Sequence, residues 1–95
     1  MFNRLLIIGC GLIGSSILRA ASSKKLSKKI FIYEKSNKNI SEVKKLKIPC
    51  QILKNLNKNI SDIDFVIICT PMSEYHKIIP KLNAHLSSKS IITDV

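Results

Sequence analysis

This chain is poor in what several function classes require. Its 95 residues hold 6 acidic side chains against 16 basic ones, with 3 glycines, 3 prolines, 3 cysteines and 5% aromatics. Cys10, Cys50 and Cys69 are odd in number and widely spaced, with no C-x-x-C. That excludes a disulfide framework and a zinc site and points to a reducing compartment. A formal charge of +10 raises the question of nucleic acid. Only two arginines occur, Arg4 and Arg19, the lysines are spread along the chain, and the aromatics are too few to stack bases. The lysines therefore read as a solvated surface, and no nucleic-acid partner is expected. No apolar run approaches the roughly twenty residues of a membrane span. Arg4 followed by Leu5-Leu6-Ile7-Ile8-Gly9-Cys10 imitates a secretion signal ending in a lipidated cysteine. Its apolar run is too short, since a signal core needs roughly seven to fifteen residues. The expectation is a cytoplasmic protein with no membrane partner.

What is present is enough for one domain with a real core, at 45% hydrophobic residues. No linker or internal repeat divides it. Residues 5–8 are apolar at every position, as in a parallel strand buried on both faces. Gly9-Cys10-Gly11-Leu12-Ile13-Gly14 follows and fits G-x-G-x-x-G, the phosphate-binding turn of dinucleotide folds. Gly9 allows a sharp turn off the strand, Gly11 lets a pyrophosphate approach the backbone, and Gly14 lets the next helix pack close. The helix start offers free N–H groups and a positive dipole end.

In chain order, a helix is predicted over residues 12–23, with Ile13, Ile17, Ala20 and Ala21 at helical spacing. Residues 26–29 read as a polar connection and 30–33 as a second strand. Asn37-Lys38-Asn39 reads as a turn, with Ser41 capping a short helix over 42–47 that Pro49 stops. Residues 51–53 form a weak third strand, 54–61 hold at most one helical turn, and 64–69 form a strong fourth strand. Ser73 is expected to cap a helix running to Leu86, kinked or split at Pro80. Residues 90–94 make a fifth strand. Alternation of this kind predicts an α/β fold: a Rossmann-type doubly wound parallel sheet of five strands, in order 3-2-1-4-5.

The turn needs context, and two strand ends supply it. Glu34 lies about twenty residues after Gly14, where an acidic residue meets the adenosine ribose. Its carboxylate would repel a 2′-phosphate, so NAD is expected over NADP, with Lys35 as a nearby cation that tempers the repulsion. Cys69, Thr70 and Pro71 end the strand beside the first one, at the switch point, and are expected to face the dinucleotide near its nicotinamide side. The cofactor-binding set is thus Gly9, Gly11, Leu12, Ile13, Gly14, Glu34, Lys35, Cys69, Thr70 and Pro71. With Cys10 and Cys69 both at the mouth, thiol reagents should block binding and NAD should protect, while Cys50 stays indifferent. His76 and His85 are nine residues apart, about half a rotation on one helix, so they cannot share a metal. Ser15 and Ser16 lack a histidine–acid pair for hydrolysis. Asp62 and Asp64 start the fourth strand, away from the cleft, and read as structural.

The run Ile8-Gly9-Cys10-Gly11-Leu12-Ile13-Gly14-Ser15-Ser16 is similar to the opening of the prephenate and arogenate dehydrogenases, which carry G-L-G-L-I-G-x-S. Tyr33-Glu34-Lys35-Ser36 resembles their second-strand end, Cys69-Thr70-Pro71 their A-T-P or C-T-P, and Ile91-Ile92-Thr93-Asp94-Val95 the strand leading into their D-x-G-S-x-K segment. Cys10 departs from the usual leucine, which affects packing more than chemistry. The resemblance implies NAD-dependent oxidative decarboxylation of prephenate to 4-hydroxyphenylpyruvate, in tyrosine biosynthesis. It also implies that the family's catalytic histidine and substrate-binding arginine lie beyond Val95. His76 and His85 do not match them, so no catalytic residue is assigned. Residues 1–95 then read as a truncated NAD-binding Rossmann domain without the helical substrate and dimerisation half, able to bind NAD but not to turn over prephenate. Homodimers would need that helical half. The alternatives are the nucleotide half of a 3-hydroxyacid dehydrogenase or ketopantoate reductase, which usually carry methionine or alanine where Leu12-Ile13 stand, or a non-catalytic NAD-sensing module.

Overall fold

A strand with no polar side must be covered on both faces. Leu5, Leu6, Ile7 and Ile8 are all buried, and they end β1 (Phe2–Ile8), the middle strand of the sheet. The computed structural model describes residues 2–94. After β1 come α1 (Leu12–Ser23), β2 (Ser27–Tyr33), α2 (Asn37–Lys45), β3 (Gln51–Leu53), β4 (Phe65–Ile68), α3 (Tyr75–His85) and β5 (Ile91–Asp94), with 3-10 turns at Lys58–Ile60 and Met72–Glu74. Every strand pair is parallel, in order β3-β2-β1-β4-β5. This is the Rossmann-type doubly wound order expected from the alternating pattern.

Alternation along β1 feeds two cores. Leu6 and Ile8 join Tyr33, Val66, Ile68, Ile78 and Leu82 on the α3 side. Leu5 and Ile7 join Leu18, Ala21, Ile32 and Val43 on the side of α1 and α2. Each fully buried leucine or isoleucine contributes about 1.5–3 kcal/mol, so the two faces together hold the sheet between its helices. The register aligns Ile8 with Tyr33 and with Ile68, and Ile68 with Asp94. The residues that follow, Gly9, Glu34 and Cys69, therefore emerge along one edge. At the opposite edge, the Asp64 carboxylate accepts from the N–H groups of Asn3 and Arg4, both at 2.9 Å, and Arg4 Nη1 lies 2.8 Å from Asp62 Oδ2. These two aspartates tie β4 to β1, the structural role expected of them.

Several boundaries differ from the sequence reading. β2 begins at Ser27 rather than residue 30, because Phe2 pairs with Ser27 and extends the ladder below the apolar segment. The buried face of α1 is Gly14, Leu18 and Ala21, while Ile13 is exposed; close packing at Gly14 sets the rotation. The turn read at Asn37-Lys38-Asn39 is instead the first turn of α2. Ser36 is its cap, accepting from Asn39 N–H at 3.3 Å, and Ser41 sits exposed within the helix. Nor does Ser73 cap the later helix. It lies in the 3-10 turn that precedes α3, and α3 has no side-chain cap. A single helix spans Pro80, whose exposed position leaves the missing bond to solvent.

Candidate functional site

The site begins where β1 stops. Gly9 has φ +83, and a Cβ there would come 2.6 Å from Thr70 Cγ2. Gly9 N–H donates to the Tyr33 carbonyl at 2.8 Å, and Cys69 N–H donates to the Ile8 carbonyl at 2.8 Å. The turn is thus pinned between the ends of β2 and β4. A Cβ on Gly14 would fall into the carbonyl oxygen of Gly9, so α1 lies as close to the turn as glycine allows. Gly11 is the N-cap of α1, with no side chain to cap the helix and no acidic residue in the first turn. The orphan N–H groups there remain open to an anion.

Glu34 joins three pieces of chain. Its Oε1 accepts from Cys10 N–H at 2.6 Å and from Asn39 Nδ2 at 3.1 Å, and its Oε2 accepts from Ser36 N–H at 3.0 Å. Burial pushes its carboxyl up, but the N–H donors of Ser36 and Cys10 and the Asn39 amide outweigh burial and hold it below the ordinary carboxylate range. It stays ionised at neutral pH inside the cleft.

A cavity of about 260 Å³ opens here. Of the residues singled out in the sequence, Gly9, Gly11, Glu34, Lys35, Cys69, Thr70 and Pro71 line it. Leu12, Ile13 and Gly14 do not. Leu12 is 89% exposed and Ile13 55% exposed, so anything they give a ligand comes from their backbone at the helix start. Thr70 and Pro71, expected toward the nicotinamide side, share this one space with Glu34 and Lys35. Sequence reasoning missed Tyr33, Asn39, Glu74, Lys77 and Ile78. Asn39 stands three residues after Ser36, a spacing that singles it out only once Ser36 is seen to be the cap. Glu74 ends the 3-10 turn after Pro71, and Lys77 and Ile78 follow it at helical spacing in α3. His76 is exposed and His85 half-buried, and neither lines the cavity.

The expectation for the cysteines changes. Cys10 presents its backbone to the site, while its thiol is buried in the α1 core. Burial raises that thiol and lifts Cys69, half-buried on the cavity wall, to about 11. Neither is a reactive thiol at neutral pH, so fast alkylation at the mouth is not expected.

The arrangement fits a nucleotide on three independent counts. A glycine-lined turn meets an uncapped helix start, an ionised carboxylate stands at the end of β2, and Thr70 Oγ1 is buried with no hydrogen-bond partner among the described residues. A buried hydroxyl left unpaired is costly and marks a place where a polar ligand belongs. Among the described residues, no helix is long and apolar enough to cross a membrane.

The fold has close likenesses among solved structures. Prephenate dehydrogenase from A. aeolicus in complex with hydroxyphenyl propionate and NAD+ superposes with a TM-score of 0.86 at 26% identity, over 99% of this chain and 33% of that one. A second structure of prephenate dehydrogenase from Aquifex aeolicus gives 0.80 at 27% identity, over 95% of this chain and 33% of that one. Synechocystis arogenate dehydrogenase gives 0.77 at 22% identity, over 97% and 32%, a likeness of fold alone. The chain spans about a third of the length of each. No curated protein sequence matches it. Through a match that runs over residues 4–95, with the glycine turn, Glu34 and Thr70 all inside it, the chain belongs to the family described as NADP oxidoreductase, coenzyme F420-dependent.

Proposed function

We propose that residues 1–95 are the NAD-binding portion of an oxidoreductase of the prephenate dehydrogenase type. The observation that carries this is the Glu34 carboxylate, bonded to Cys10 N–H of the glycine turn and facing the same cavity as Thr70. In this reading the N–H groups at the start of α1, from Leu12 and Ile13, take the pyrophosphate. Gly9, Gly11 and Gly14 keep that approach open, and Glu34 takes a ribose hydroxyl. Thr70 and Pro71 form the wall on the nicotinamide side of the same cleft, and Lys35 stands at its rim near Glu34. The bound nicotinamide would accept hydride during oxidative decarboxylation of prephenate. The work of these residues is to hold and orient it, with Glu34 kept ionised by its N–H donors. Prephenate is preferred as substrate because the likeness at 26% identity is to an enzyme crystallised with hydroxyphenyl propionate and NAD+.

Neither His76 nor His85 lines the cavity, and in this reading substrate chemistry and dimerisation belong to the two thirds of the prephenate dehydrogenases' length that this chain does not span. The protein is read as cytoplasmic. The family description names NADP, yet an ionised Glu34 at the ribose position repels a 2′-phosphate, and NAD remains the preferred cofactor. Isothermal titration of the chain with NAD and NADP tests this. NAD should bind at least about tenfold tighter, equivalent to about 1.4 kcal/mol, and Glu34→Ala should remove the difference. Tighter binding of NADP by the unmutated protein would overturn the cofactor assignment. Prephenate-dependent NADH formation by these 95 residues would overturn the division of labour.

A further inference from the structure

The start of α2 departs from the usual capping arrangement in an informative way. In a capping box, the N-cap hydroxyl accepts from the N3 N–H, and the N3 side chain reaches back to the N-cap N–H. Ser36 and Asn39 keep the first half, at 3.3 Å. The second half is replaced. Ser36 N–H donates to Glu34 Oε2 at 3.0 Å, and the Asn39 amide, released from that duty, donates to Glu34 Oε1 at 3.1 Å. An ionised carboxylate only accepts, so the Asn39 group facing it must be its NH2.

The two oxygens are unequally filled. A carboxylate has about four acceptor positions. Oε1 uses both of its own, on Cys10 N–H and Asn39, while Oε2 uses one, on Ser36 N–H. The nearby Lys35 N–H also stabilises the carboxylate, yet Oε2 alone keeps an acceptor position that no formed hydrogen bond occupies. Asn39 also lines the cavity, and its Nδ2 is 3.9 Å from where a Gly11 Cβ would stand. It therefore bridges the acid and the glycine turn.

Resting on the nucleotide-binding reading above, we infer that Asn39 is a positioning residue for the cofactor. It fills Oε1 and turns the remaining acceptor of Glu34 toward the ribose, so that α2 as well as the glycine turn sets the preference for an unphosphorylated ribose. Without Asn39, Oε1 has one donor fewer and the carboxylate is held by backbone groups alone.

The test uses Asn39→Ala and Asn39→Asp in the 95-residue chain. Asn39→Ala should weaken NAD binding about five- to tenfold, less than the full loss of a charge-assisted hydrogen bond because Asn39 acts through Glu34, and leave NADP binding unchanged. Asn39→Asp is the sharper variant. An acidic residue in the first helical turn favours the helix, so a purely structural role would leave NAD binding intact. A positioning role requires the opposite, because two carboxylates would then face each other, and NAD binding should fall further than in Asn39→Ala. Carbon-13 NMR of the Glu34 carboxyl gives a ligand-free readout, and its titration should move up in Asn39→Ala. An unmoved Glu34 titration, or equal losses of NAD and NADP affinity, would overturn the inference while leaving the nucleotide reading standing. If the unmutated chain binds neither nucleotide, while Glu34 still titrates upward in Asn39→Ala, the nucleotide reading fails, and the cofactor role of Asn39 fails with it.

Discussion

At the scale of single residues, the glycines of the turn are not equivalent, and substitution separates their roles. Alanine at an ordinary helical glycine gains about 1 kcal/mol. At Gly14 the added Cβ meets the backbone oxygen of Gly9, which cannot swing away as a side chain would. Gly14→Ala should therefore lose about 3 kcal/mol, in the range of overpacked sites, and thermal unfolding followed by circular dichroism would show it. Gly11 is the contrast: its nearest neighbour to an added Cβ is Asn39 Nδ2 at 3.9 Å, ordinary contact distance. Gly11→Ala should leave stability within about 0.5 kcal/mol of the unmutated protein and still impair NAD binding, because the methyl group occupies the approach to the helix start. A binding loss confined to Gly14→Ala would invert that assignment. Cys69 carries a pH consequence. Lifted from 9.0 to about 11 by burial and the neighbouring Cys10, its thiolate at neutral pH is ~100-fold scarcer than an ordinary thiol's. Iodoacetamide labelling read by mass spectrometry should be correspondingly slow at pH 7.5 and quicken toward pH 11. Rapid labelling at neutral pH would place Cys69 in a more open setting than the cavity wall.

At the scale of elements, α3 holds its one clear weakness at Pro80. Proline inside a helix lacks an N–H and crowds the preceding turn, at a cost of about 3 kcal/mol against alanine in unstrained hosts. Pro80 is exposed and five residues into an otherwise regular helix. Pro80→Ala should restore the bond to the His76 carbonyl and raise stability by about 1–2 kcal/mol, seen as a higher midpoint in urea. A lowered midpoint would mean the ring packs in a way its exposure does not suggest. The misread elements share one cause. Strands were legible because their apolar runs are read locally: residues 5–8 and 30–33 fall wholly in observed strands, and of the 64–69 expected for the fourth, 65–68 is strand. Caps were not, because a serine caps only where its neighbours leave it free to do so. Ser41-Glu42 has the composition of a helix start, but Glu34, five residues before Asn39, organises Ser36 instead. Likewise the glycine turn and the strand-end residues stood out from spacing, whereas Lys77 and Ile78 reach the cavity only because α3 folds back beside Pro71.

For the whole molecule, the strand order was legible because parallel strands with right-handed crossovers admit few arrangements, and the charge balance decides what the fold must withstand. Six acidic residues face sixteen basic ones, so at least ten cations have no acidic partner of their own. The ion pairs among the described residues, Arg4–Asp62, Glu42–Lys45 and Glu74–Lys77, are substantially exposed and each contributes at most about 1 kcal/mol. Repulsion among the lysines should therefore exceed the attraction salt would screen. The Debye length contracts to about 10 Å at 0.1 M salt, a reach shorter than much of the spacing across this surface. Raising sodium chloride from about 20 to 200 mM should lift the melting temperature by about 2–4 °C, corresponding to roughly 0.5 kcal/mol in a domain of this size. Acid should act oppositely. Glu34 has a lowered carboxyl in the folded state, so its contribution is complete above the ordinary carboxylate range and disappears as pH falls through the lowered value. Lys35, Lys77 and Glu74 share its cavity, and losing its negative charge would leave the two lysines less opposed. Melting temperatures from pH 7 down to pH 3 should thus fall more steeply in the unmutated protein than in Glu34→Gln, which starts lower and has no such proton to take up. Parallel curves for the two proteins would remove Glu34 from the acid limb and leave it to the other carboxylates and the lysine repulsion that their neutralisation unmasks.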